Sequence, residues 1–146
     1  MGMLSNYLEN KLIDQLFRGQ AYSFPATLYV ALLTEEDGDA GGGTEVSGGS
    51  YARVAIACTL ANWAGTQGAG TTTASNGASG TTSNNGAITF PEPTANWGVV
   101  AGFAIYDAPT AGNLLIFGTL LAPKTINSGD AAPVFLPAQL SLQIDN

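Results

Sequence analysis

At 146 residues the chain is long enough for one domain with a real core. Only 10% of it is charged and 19 residues are glycine, a balance unlike a helical enzyme and closer to a β-rich, turn-rich protein. A formal net charge of −7, with Lys11, Arg18, Arg53 and Lys124 as the whole basic complement, argues against nucleic acid and against an anionic membrane surface as partners, because both need clustered cations.

The missing histidine removes the commonest metal ligand and general base, so neither a metal nor another cofactor is expected. The single cysteine, Cys58, excludes an intramolecular disulfide; it sits in an apolar run and reads as a small buried hydrophobe. No basic region precedes an apolar core at the N-terminus, and no apolar run approaches ~18 residues, so neither a secretory signal nor a membrane span is expected.

The first segment, Leu4–Gly19, reads as the one helix. Leu4, Leu8, Leu12 and Leu16 recur every four residues, Ile13 and Phe17 widen the stripe, and Glu9, Asn10, Asp14 and Arg18 fall largely on the other side. Ser5 or Asn6 can cap it, Asn6 and Glu9 have capping-box spacing, Asp14 and Arg18 form an i,i+4 pair, and Gly19 suits the position just past the end. Its stripe either packs on the chain's own sheet or forms an assembly interface of Leu4, Leu8, Leu12, Leu16 and Phe17 completed by another subunit. The expected division is residues 1–20 as this helix and residues 21–146 as a β-domain with a low-complexity loop at residues 64–87.

Thr27–Leu33 is an apolar run rich in strand formers. The acidic, Gly-rich loop Thr34–Ser50 follows, and its Asp37-Gly-Asp39 lacks calcium-loop spacing, so it reads as solvated. Tyr51–Leu60 resumes as a strand in which Arg53 is expected to pair with an acidic loop residue, and Trp63 reads as a core or sheet-end anchor. Ala64–Ala87 has no charge and is almost entirely small and polar, so on its own it should be a long mobile loop. Ile88–Phe90 is a short strand stopped by Pro91 and Pro93.

Gly98–Tyr106 and Leu114–Leu121 flank Asp107–Asn113, where Pro109 and Gly112 permit a reversal. This hairpin is apolar on both faces and is expected to be covered on both sides. After a turn at Asn127–Asp130, Val134–Leu136 and the alternating Leu140, Leu142 and Ile144 complete about seven strands. The fold class expected is mainly β: an antiparallel β-sandwich, jelly-roll-like, preceded by one amphipathic helix.

Candidate carboxylates for glycoside chemistry are Glu35, Glu36, Asp37, Glu92, Asp107 and Asp130, nearly all in turns or loops where acids serve solubility and turn geometry. With no triad and no metal cluster, no catalytic residue is assigned. Trp63, Trp97 and several tyrosines offer stacking surface for a carbohydrate-binding module, although their places in and beside strands favour a core role.

In order, SNYLENKLIDQLFRG, TLYVALLT, GGGTEVSGGSYARVAI and ITFPEPTANWGVVAGFAIYDAPTAGNLLIFGTLLAPKTINSGD resemble a family of small virion proteins of tailed bacteriophages, of tail-fibre-like or capsid-decorating type. The resemblance spans nearly the whole chain outside Ala64–Ala87. It implies a non-enzymatic particle component, assembled in the host cytoplasm, whose partners are other virion proteins of capsid or tail and further copies of itself. Capsid decoration or cementing is the reading favoured at this point, with a tail or tail-fibre component as the alternative.

Overall fold

A computed structural model describes residues 2–144. Among these residues the order is β1 (Gly2–Leu4), α1 (Asn6–Phe17), β2 (Thr27–Glu35), β3 (Thr44–Glu45), β4 (Val54–Ala57), β5 (Thr81–Ser83), β6 (Ile88–Thr89), β7 (Gly98–Tyr106), β8 (Leu114–Ile126), β9 (Val134–Phe135) and β10 (Ser141–Gln143). The protein is mainly β with one N-terminal helix, as its sequence indicates. Its main sheet runs β3-β2-β7-β8-β1-β10-β5, with β4 also on β2, and the small sheet β6-β9 forms a second layer. Pairing is antiparallel except between β1 and β10, which are parallel.

The central hairpin carries the core. In register, Val30 meets Ile105, Leu32 meets Phe103, and Ile105 meets Ile116. Their side chains share one face and pack with Ile88, Phe90, Trp97, Leu140 and Leu142. Tyr51, Phe90, Phe135 and Phe103 form a chain of rings with centroids 6.2–6.3 Å apart. The opposite face is a smaller cluster of Ala31, Leu33 and Ala104 with Tyr106 and Leu114 packed on it. Gly102–Ile105 are accordingly buried on both faces, as the doubly apolar pattern requires.

That coverage stops halfway along β8. Between the pairs Gly102–Thr119 and Val100–Lys124, Ala101 alone on β7 stands opposite Leu120, Leu121, Ala122 and Pro123 on β8. The extra residues bulge outward, and Pro123 cannot donate to a ladder in any case. On the other side the described pairing of β1 with β8 places Gly2 opposite Gly118. Leu121, expected inside a covered strand, is therefore fully exposed.

Two further corrections concern small elements. Leu4 belongs to β1, and the helix begins two residues later behind Ser5, whose hydroxyl accepts from Leu8 N–H at 3.2 Å. Gly2 suits β1 because a Cβ there would lie 2.6 Å from Leu142 and 2.9 Å from Ile116. Cys58 is exposed, not buried, because β4 ends at Ala57 and strand alternation ends with it.

Candidate functional site

The residues with chemistry in this chain are mostly used to hold it together. Arg53 pairs with Glu45 through two bonds, Nε to Oε1 at 2.9 Å and Nη2 to Oε2 at 2.7 Å. Its Nη1 donates to the carbonyls of Ala108 and Ala111, and the guanidinium lies 3.6 Å from the centre of the Tyr106 ring. The lone strand-start charge thus finds its acidic loop partner, as expected, and also clamps the hairpin loop. Burial opposes the charge on Arg53, but Glu45 outweighs it and holds the guanidinium above its usual range. Burial also pushes the Tyr106 phenol up to about 12, with Asp37 acting in the same direction and Arg53 against it.

Three of the acids that might have served catalysis, Asp37, Asp107 and Asp130, fasten loops. Asp107 accepts from Asn113 N–H and from its amide at 2.7 and 2.8 Å. Asp130 accepts from Asn127 N–H at 2.8 Å. Asp37, read from the sequence as solvated, is buried and accepts from Gly43 N–H at 2.8 Å. It folds the acidic loop back on itself, so the loop lies beside Tyr106 and meets the helix start, where Asn6 N–H donates to Asp39 O.

Both tryptophans pack on the core, although the buried indole N–H of Trp63 has no hydrogen-bond partner among the described residues. Trp97 is buried, donates from its indole to Gly49 O at 3.0 Å and stands edge-on to Tyr51. Trp63 is half-buried against the core beside its bridge to Asn84.

Ala64–Ala87, expected to be mobile, is tied by its own hydroxyls and amides. Thr66 exchanges bonds with Gly77, Gln67 donates to Thr73 and Ala74, and Asn85 bonds Gly70, Thr71 and Leu60. Low hydrophobicity removes one source of order, but side-chain to backbone hydrogen bonds supply another. Asn84 anchors this segment from within the core. It is 1% exposed, donates to Gly86 O at 2.7 Å and Leu136 O at 2.9 Å, and accepts from Leu140 N–H at 2.9 Å.

Apolar surface is exposed as well. Within the helix stripe Leu8 and Leu12 are half-buried, as is Leu4 in β1, whereas Leu16 is 74% and Phe17 77% exposed, with Ile13 also outside. Helix periodicity puts Glu9, Ile13, Leu16 and Phe17 on one side, so the five residues expected as one interface are divided between an inner row and an outer one. Gly19, at φ +66°, then turns the chain so that Gln20 N–H returns to Asp14 O, and Asp14 pairs with Arg18 at 3.3 Å.

A second exposed surface lies beside β8. A groove of about 650 Å³ lies between Thr119–Lys124 and Ala138–Ser141, with Phe103, Phe135 and Leu140 among its lining. Pro123-Lys124 within an apolar strand was the available signal, since proline and lysine mark exposed strand edges.

A comparison with curated proteins finds no match. Residues 3–143 match the family described as podophage GP4 fiber I protein gp80, a span that takes in both exposed surfaces and nearly all of the sheet between them. The chain therefore belongs to this phage fibre-protein family and is a virion component.

Proposed function

We propose that the protein is a non-enzymatic structural subunit of the tail-fibre type, completed in the particle by neighbouring subunits through the outer row of α1. The capsid-decorating and cementing reading gives way to this one because the matched family is a fibre family. The observation that carries the contact surface is the exposure of Leu16 and Phe17, with Ile13 beside them, on a helix whose inner Leu8 and Leu12 are half-buried. Fully burying such side chains is worth ~1.5–3 kcal/mol each, enough to matter to an interface and wasted in water.

The polar constellations support a structural role, since each of the acids Asp37, Asp107 and Asp130 is engaged within its own loop. The test is to supply Leu16→Asp/Phe17→Asp to a phage lacking this protein and measure the copies retained in purified particles. Burial of unpaired charge should reduce incorporation by more than about tenfold. Incorporation equal to wild type would overturn the assignment of this face.

A further inference from the structure

The outer row of α1 and the groove beside β8 are complementary in shape, polarity and charge. The helix is convex and presents Ile13, Leu16 and Phe17, with Glu9 in line at i−4 from Ile13. The groove is concave, floored by Phe103, Phe135 and Leu140, and among the described residues Lys124 is the one charged residue that lines it. Among the described residues neither Glu9 nor Lys124 makes an ion pair, whereas Arg18 and Arg53 do. On a chain of net charge −7, an apolar groove whose described lining holds a lysine and no acid is suited to an apolar ligand that brings a carboxylate.

The spacings agree as well. Glu9 and Leu16 are separated by about 10 Å along a helix axis, and Leu121 and Lys124 by at most about 10 Å along an extended chain.

We propose that this groove receives helix α1 of a second copy of the same chain, with Leu16 and Phe17 seated beside Leu121 and Glu9 facing Lys124. The proposal rests on the reading of α1 as an assembly face and names what that face meets. A chain cannot satisfy its own groove. Ser5 N–H is bonded to Leu115 O and its hydroxyl to Leu114 O, at the end of β8 away from Lys124, and no residue of α1 lines the groove. Two different patches meeting in this way make a head-to-tail contact, which closes into a ring or propagates as a filament. Edge-to-edge strand pairing is a poorer use of the same surface, because the bulge, Pro123 and Lys124 are features that block it.

The experiment is sedimentation of the full chain. Wild type is expected to associate beyond a dimer at tens of micromolar. Leu16→Asp/Phe17→Asp loses the helix face and Leu121→Asp/Lys124→Glu loses the groove face, and each alone should be a monomer with unchanged circular dichroism. Mixed together they should form a 1:1 heterodimer and nothing larger, since one intact helix and one intact groove remain. Glu9→Lys and Lys124→Glu should each weaken wild-type association about 3–10-fold, and their combination should restore it.

A monomeric wild type, a groove variant that still associates, a mixture that stays monomeric, or a double reversal without rescue would each overturn the proposal. If association is absent while the helix-face variant still fails to enter particles, α1 docks on a different virion protein. In that outcome the functional reading stands and this inference falls.

Discussion

Replacing Asn84 by alanine is expected to destabilise the fold more than any surface substitution in Ala64–Ala87. Leu140 N–H, on a residue 1% exposed, loses its only side-chain acceptor and has no route to water. Such an orphaned donor costs ~1–3 kcal/mol. The carbonyls of Gly86 and Leu136 lose a bond each, but both residues are exposed, so water replaces much of it at ~0.5 kcal/mol or less apiece.

The sum is about 1–4 kcal/mol, or a fall in Tm of roughly 3–15 °C for a domain of this size. Urea unfolding with an unchanged m-value measures it directly. Asn84→Asp adds a discriminating arm: it keeps the shape and the acceptor for Leu140 but directs a carboxylate at the Leu136 and Gly86 carbonyls, so it should be at least as damaging. A loss below about 0.5 kcal/mol for either variant, the range of ordinary surface changes, would refute the hydrogen-bond assignment.

Other perturbations should follow the same physics. Glu45→Gln leaves Arg53, whose side chain is 7% exposed, without its counter-charge and should cost about 3 kcal/mol by chemical denaturation. Because the Tyr106 phenol is raised to about 12, its neutral form stabilises the fold fully below pH ~10 and this contribution is lost as pH rises through ~12, so Tm should fall across that window and fall less steeply in Tyr106→Phe. Deleting residues 1–20 removes β1 from between β8 and β10 along with α1, so thermal unfolding should begin well below wild type, whereas Leu16→Asp/Phe17→Asp should stay within about 0.5 kcal/mol of it. EDTA should leave Tm unchanged, since among the described residues no group of three or more acids or thiols converges.

The sequence was legible where burial follows period. β2, β7 and the first half of β8 stand out as apolar runs, and the helix shows through its Leu repeat and its cap. The short strands were hidden for specific reasons. Thr81–Ser83 is polar throughout and is a strand because β10 pairs with it. Gly2–Leu4 takes its conformation from β8 and β10 on either side, a tertiary constraint that overrides the leucine periodicity running through it.

Of the candidate surface, Leu16 and Phe17 were readable as part of the stripe, but which residues of the stripe face outward depends on how α1 sits against β8. Of the groove only Pro123-Lys124 gave a sign, because Leu120 and Leu121 look like strand core until the bulge opposite Ala101 is known.

The most direct test of the fibre-type assignment is a reconstruction of the phage particle at a resolution that separates strands. The expected result is density for this eight-stranded sheet and its outlying helix in a fibre of the tail, with α1 in contact with a neighbouring subunit. Finding the same density on the capsid lattice, or finding a fibre in which Leu16 and Phe17 face solvent, would contradict it.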